Sequence, residues 1–352
     1  LSGTPRRNFI IDGDFTQWPE GTAATTFTNG YGTGTPALFR VREATDGTAT
    51  TEQSTDVPTV AESGHQSRYS TLIKCTGIDA ALAVSVDMNL GIRVTGSDFT
   101  ELHQQEVTFS FWAKTAANNS GHTYSVSFRN SAVNRSYVTE YTPTSSWTKF
   151  TKTLTLDTVG TFLFTEADIG LAIDFDLASG SNYNGTVDTW SAGNFFSSAG
   201  NSNFMDSTSN EFYITQVQLV LGSTAPTFTS EAIATVKDQV DYYVQRYEYD
   251  TSQEIVGASA FTESTSGMSC NFQFRKTTRT VPVMTNSAAS TFSGYDGQAI
   301  ATLNSFSPTS PGTNGFHAVV GQAGTNWSAT GGTGGRLRSV SGTAWIMADA
   351  RH

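Results

Sequence analysis

Residues able to make or break bonds are present in this sequence but dispersed. The five histidines, His65, His103, His122, His317 and His352, form neither an H-x-H nor an H-x-x-x-H spacing, so no strand or helix face presents the paired imidazoles of a zinc site. No G-x-S-x-G elbow occurs, and no Ser, His and Asp suggest a triad. NGYGTGTP carries alternating glycines, but Pro and Thr follow where a phosphate loop needs a helix start, so it reads as a turn. The 31 acidic residues include no pair that the sequence singles out for glycoside hydrolysis. Cys75 and Cys270 are too few for a disulfide framework and read as small buried apolar residues. The expectation is a protein that is not an enzyme.

Groups that bind without reacting are better placed. In VTFSFWA, Val107, Phe109, Phe111 and Ala113 share one strand face, and Thr108, Ser110 and Trp112 the other. In DIGLAIDFDL, Leu171, Ile173, Phe175 and Leu177 oppose Asp168, Asp174 and Asp176. Trp112, Asp174 and Asp176 therefore lie off the core face, where an indole can stack on a sugar ring and carboxylates accept hydroxyl hydrogen bonds. The plainer alternative packs Trp112 under a loop and leaves the carboxylates in water. Residues 178–210 form a Gly/Ser/Asn-rich insertion carrying Tyr183, Trp190, Phe195, Phe196 and Phe204. So many aromatics imply a loop ordered against something, and for Tyr183 and Trp190 both ligand contact and subunit packing stay open. Asp12 and Asp14 flank Gly13, a spacing that suits Ca²⁺ or, more simply, an Asx turn. No cofactor is expected beyond that calcium alternative.

The elements that must hold these groups are strands. Hydrophobic residues make up 37% and charged residues 14% of the 352, while 32 Gly and abundant Ser, Thr and Asn favour short strands and polar turns over helix. Twenty-three Phe suffice to fill thin sandwich cores. YSVSF and SSWTKFTKTLTL repeat the period-two pattern, with Tyr124, Val126 and Phe128 on one face of the first and Phe150, Leu154 and Leu156 on one face of the second. One helix interrupts the pattern. Thr229 or Ser230 can cap it, Glu231 suits its first turn, and Ile233, Val236, Val240, Tyr243, Val244 and Tyr247 form an apolar stripe over about five turns. That stripe suits an interdomain or an oligomer interface. Alternation resumes in GMSCNFQFRK, TVPVMT, GFHAVVG and TAWIMADA, with Gly-rich links such as SATGGTGGR. The predicted fold is mainly β, with two antiparallel β-sandwich (jelly-roll-like) domains joined by one α-helix: residues 1–228, a connecting helix at 229–249, and residues 250–352.

A net charge of −11 argues against nucleic acid and anionic membrane surfaces as partners. No apolar run approaches a membrane span, and LSGTPRRNFI lacks a signal-peptide core. The opening residue is Leu1, which leaves open processing or an upstream anchoring segment. Asn118, Asn134, Asn184 and Asn326 head Asn-X-Ser/Thr sequons that matter only in a glycosylating host.

NFIIDGDFTQWPEGT, SSWTKFTKTLTL, and above all ITQVQLVLGSTAPTF followed by VDYYVQRYEY resemble a pattern of tailed-phage structural proteins. In those, a jelly roll similar to carbohydrate-binding modules leads through a short helix to a C-terminal β-sandwich. YVQRYEY (243–249) matches the hinge with Val244 in place of its usual Cys, and FRKTTRTVPVMT and AWIMADA match the segments beyond. Thr215 and Gln216 stand where carbohydrate modules often place aspartates. The resemblance implies a non-enzymatic fibre or spike on the virion surface, a homotrimer among other virion proteins, binding host-surface polysaccharide during adsorption. A carbohydrate-binding module of a secreted polysaccharide-degrading enzyme, or a fibre depolymerase, is the alternative.

Overall fold

A computed structural model describes residues 6–351 except 33, 250, 252–253, 255, 257–258, 297–298, 323–326, 328–333 and 341. The sequon at Asn326, most of the Gly-rich link at 328–336, and His352 lie outside the described residues. The chain divides into two compact units, Leu1–Val236 and Lys237–His352.

The first unit contains β1 (Thr25–Phe27), β2 (Gly30–Tyr31), β3 (Phe39–Glu43), β4 (Thr48–Ser54), β5 (Ser70–Gly77), β6 (Asp87–Thr95), β7 (Glu106–Thr115), β8 (Tyr124–Arg129), β9 (Arg135–Tyr141), β10 (Thr148–Thr155), β11 (Ile169–Ser179), β12 (Trp190–Ala192) and β13 (Glu211–Leu221). Six form one antiparallel sheet, β1-β4-β5-β13-β7-β10, and seven form another, β12-β9-β8-β11-β6-β3-β2. The faces predicted to be apolar meet between them. Phe109 and Phe111 of the first sheet lie 5.7 and 4.9 Å, ring to ring, from Phe175 of the second, within a core that also takes Leu171, Ile173, Tyr124, Val126, Phe128 and Leu154. Burying such side chains contributes about 1.5–3 kcal/mol each, which is why strand parity decides the sheet faces.

The N-terminal segment closes the sandwich by lying along β13. Phe9 N–H donates to Leu219 O, and Val217 N–H to Gly13 O. Gln216 interrupts the β13 ladder with φ of 53°, a bulge at which the register with β7 slips. Its amide donates to the hydroxyls of Ser63 and Ser67.

The second unit has β14 (Val244–Tyr249), β15 (Ser259–Thr262), β16 (Gly267–Gln273), β17 (Val283–Asn286), β18 (Phe292–Tyr295), β19 (Ile300–Thr302), β20 (Ser305–Gly312), β21 (Gly315–Gly321), β22 (Gly334–Ser339) and β23 (Ala344–Asp349). A three-stranded sheet, β14-β23-β17, accompanies a seven-stranded one, β19-β18-β22-β15-β16-β21-β20. Met268, Cys270, Phe292, Val320, Leu337 and Ile346 belong to its core. Both cysteines are buried and free, and burial pushes both thiols above their ordinary range.

The helical segment is shorter than its sequence pattern suggests. α1 (Val60–Ser63) and α2 (Gly96–Phe99) are single turns, and α3 spans Ile233–Asp241. The predicted helical run to 249 is corrected: Val244–Tyr249 is strand β14, paired from Val244 with Asp349 to Tyr249 with Ala344. VQRYEY is rich in the β-branched and aromatic types that favour strands, and Val240, Tyr243, Val244 and Tyr247 had satisfied a helical spacing equally well. The stripe is also broken at its start, for Ile233 is 43% exposed, while Val236, Val240 and Val244 are buried and Tyr243 and Tyr247 half-buried. Tyr247 Oη donates to Gln245 Oε1 and accepts from Arg275 N–H, both within the second unit.

Candidate functional site

The outer face of the seven-stranded sheet carries two polar rows. Arg40, Gly91, Asp174 and Ser127 stand in register across β3, β6, β11 and β8. Arg42, Asn89, Asp176, Ser125 and Glu140 form the next row, reaching β9. Arg93 folds across Gly91 to place Nη1 2.9 Å from Asp174 Oδ1, while Arg129 Nη2 lies 2.6 Å from Oδ2. A Cβ at Gly91 would meet that Oδ1 at 2.3 Å, so glycine is what leaves room for the clamp. Burial alone would raise the Asp174 carboxyl, but the two guanidinium charges outweigh it and hold the carboxyl below its ordinary value. Asp176 accepts from the Ser179 hydroxyl and, at 2.9 Å, from Asn201 Nδ2. With no such pair of cations, burial pushes it up to about 7.

The aromatic insertion is the lid of this layer. Ser198 Oγ donates to Glu140 at 2.6 Å, Arg129 donates to Asn194 at 2.5 Å, and the Arg129 guanidinium lies 4.8 Å from the Phe196 ring centre. Tyr183 stacks on Phe196 at 4.3 Å and donates to Ser85 O. Trp190 lies on β12, beside Tyr137 at 5.6 Å, and its indole N–H donates to Thr155 O at 2.9 Å. Asp174 and Asp176 are thus off the core face, as their parity requires, but fully covered rather than facing water. Tyr183 belongs to the same layer. Trp190 packs at the sheet edge against the core.

Trp112 lies elsewhere, on the outer face of the six-stranded sheet. Leu72, Tyr213 and Lys114 form one row across β5, β13 and β7, continued by Trp147 just before β10. Thr215, Trp112 and Lys149 form the neighbouring row. The Lys114 ammonium stands 4.7 Å from the Tyr213 ring centre and 5.6 Å from that of Trp147, and the two rings meet edge-on at 6.3 Å. Asp56 pairs with Lys114 and accepts the Trp147 indole N–H at 3.0 Å. Tyr213 Oη donates to Glu211 at 2.7 Å. Trp112, Trp147 and Tyr213 are each half-buried, with ring surface left to solvent. This is a patch of flat apolar faces interleaved with donors and acceptors, a combination suited to hydroxyl-bearing rings. Sequence reasoning found Trp112 and missed the rest. Lys114 shares the parity of Trp112, and Tyr213 alternates with buried Phe212 and Ile214, so both were legible; Trp147, in a turn, was not.

At the calcium candidate, Asp12 accepts from Thr16 N–H, Thr16 Oγ1 and Gln17 N–H at 2.8, 2.6 and 2.8 Å, bonds from four and five residues on rather than the two of the expected Asx turn, and they occupy both its oxygens. Burial pushes Asp12 up to about 7. Asp14 accepts from the Ser230 hydroxyl, which also lies 3.0 Å from His65 Nε2. This Ser–His–Asp grouping, invisible in the sequence, has the wrong order for nucleophilic catalysis. The serine proton points at the acid, and the serine rather than the imidazole is the middle member. Among the described residues no three His, Cys, Asp or Glu gather as a metal site.

No family model matches the chain, and no curated protein matches it in sequence. Among solved structures it is similar to the enzymatically active domain of bacteriophage CBA120 tailspike protein 4, with 11% identity and a TM-score of 0.31 over 61% of this chain and 21% of that one. The chain therefore spans about a fifth of that protein's length. It is also similar to the family 11 carbohydrate-binding module of a Clostridium thermocellum cellulosomal cellulase (13%, TM-score 0.30, 64% of this chain, 99% of that one). A third is a family 61 carbohydrate-binding module in complex with β-1,4-galactotriose (12%, TM-score 0.27, 61% and 99%). Likeness at this level bears on no residue of the site.

Proposed function

We propose that the first unit binds glycan, without chemistry, on the outer face of its six-stranded sheet. The observation that carries this reading is the grouping of Trp147 and Tyr213 around Lys114, with Trp112 in the neighbouring row. Those rings stay partly open to solvent, whereas Asp174 and Asp176 are occupied by arginines, Ser179 and Asn201 beneath the insertion. On this reading the chain is a fibre or spike of a phage virion that adsorbs to host-surface polysaccharide. As a homotrimer beside other virion proteins it would convert weak single-site contacts into useful avidity. The patch would serve a binding module of a secreted polysaccharide-degrading enzyme equally well, and the gene's neighbours separate those two settings.

Affinity electrophoresis in host polysaccharide tests the site. Trp112→Ala and Trp147→Ala should each weaken retardation at least about tenfold, roughly 1.4 kcal/mol, with unchanged circular dichroism. Tyr31→Ala, an exposed tyrosine of the other sheet, should not. Equal retardation of all four proteins would overturn the reading, and new reducing ends in the gel would restore the depolymerase alternative.

A further inference from the structure

The second unit has a feature that the proposed reading does not use. On the outer face of its seven-stranded sheet, Gln273, Gly315 and Gly312 stand in one row across β16, β21 and β20, and Asn271, His317 and Thr309 in the next. Two glycines opposite one glutamine leave a stretch of sheet without side chains. The result is a shallow, open notch of about 540 Å³. Gly315 is required there, because a Cβ would lie 2.1 Å from Phe272 O.

One wall is held in place. Phe274 N–H donates to Asn314 O at 2.9 Å and Thr278 N–H to Thr313 O at 2.8 Å, holding the turn between β20 and β21. Thr277 Oγ1 donates to Asn314 Oδ1 at 2.7 Å, which leaves the amide's N–H₂ end as the one to offer. Thr309 Oγ1 holds His317 Nδ1 at 2.9 Å and sets the ring's orientation. Asn271, Gln273, Ser310, Thr313, Asn314 and His317 supply the polar lining, Phe272 and Phe316 turn their rings to the core, and among the described residues the lining has no Asp, Glu, Lys or Arg.

We infer that this notch is a second binding site, for a neutral pyranose such as the terminal sugar of an uncharged glycan. Carboxamides offer a donor and an acceptor in one plane, a match for neighbouring hydroxyls. A lining without cations offers a carboxylate no ion pair to offset its lost hydration, which selects against uronates and sialates.

The test uses saturation-transfer NMR on the full chain carrying Trp112→Ala and Trp147→Ala, so that the signal does not depend on the first unit. The probes are methyl glycosides of neutral hexoses and of a hexuronate. Neutral glycosides should receive saturation and the hexuronate should not. The signal should fall at least fivefold in Asn271→Ala/Gln273→Ala, two exposed positions. It should fall likewise in Gly312→Trp, where a Cβ meets only Gly315 O at 3.8 Å and the indole fills the notch. No transfer to neutral glycosides, preference for the uronate, or signal untouched by both variants would each overturn the inference. Because Trp112 and Trp147 are already removed, its failure is distinct from failure of the first-unit site.

Discussion

Asp174 and Asp176 stand two residues apart on one strand, equally covered, yet their carboxyls move in opposite directions. Neighbours decide the difference. Arg93 and Arg129 converge on Asp174, while Asp176 receives a hydroxyl, an amide and the repulsion of Asp174. The consequence for stability follows by linkage. Between the ordinary carboxyl value of 3.8 and its folded value of about 7, Asp176 keeps a proton in the folded chain that the unfolded chain has released. Each step up in pH across that window therefore disfavours folding, and the loss is complete above about 7. Asn at 176 keeps the acceptor and removes the charge. Asp176→Asn should match the wild type in melting temperature near pH 4 and exceed it progressively to pH 8, each kcal/mol appearing as about 2–4 °C in a unit of this size. Asp12, raised for the same reason, depresses both proteins alike and cancels from the difference. A gap that is constant from pH 4 to 8 would mean that Asp176 is already ionised beneath the insertion.

Elements here depend on close backbone approaches as much as on packing. The N-terminal segment meets β13 where Val217 N–H donates to Gly13 O, and a Cβ at Gly13 would lie 2.0 Å from Val217 O. Gly13→Ala must therefore separate the segment from the strand, with an expected cost of roughly 1–3 kcal/mol, read as a lower denaturant midpoint at unchanged slope. An unchanged midpoint would show that this crossing contributes nothing. The alternation of Val107 to Ala113 and of Leu171 to Leu177 made the sandwich legible, because period-two burial is local information. What it could not convey is sheet membership. Trp112 and Asp174 both point off the core, but β7 and β11 belong to opposite sheets, so residues grouped by parity are separated by the thickness of the sandwich. Pairing partners distant in the chain set that outcome. The aromatic insertion was legible as ordered, but not as a lid, since its contacts to Arg129, Glu140 and Ser85 are equally non-local. At Val240–Tyr247 the residue types fitted helix and strand alike, and pairing with β23 settled Val244 onward as strand.

At the scale of the molecule, the two units have separate apolar cores, one filled by residues such as Phe109 and Phe175 and the other by Met268 and Phe292. Where cores are separate, cooperativity ends at the unit, because removing a side chain from one core leaves the contacts of the other in place. Calorimetry should then resolve two transitions that respond to different substitutions. At pH 8 Asp176→Asn should raise one of them. Met268→Ala, at a fully buried position of the second core, should lower the other by an amount equivalent to about 2–5 kcal/mol. The double variant should show both shifts unchanged, since substitutions in separate cores that share no partners add. Ligands extend the same logic. Polysaccharide bound at the Trp112 face should stabilise the transition that Asp176→Asn moves, and a neutral glycoside in the Gln273 notch the transition that Met268→Ala moves. A single transition displaced by both substitutions would show that the chain unfolds as one cooperative body, and the assignment of separate binding functions to its two units would lose its thermodynamic basis.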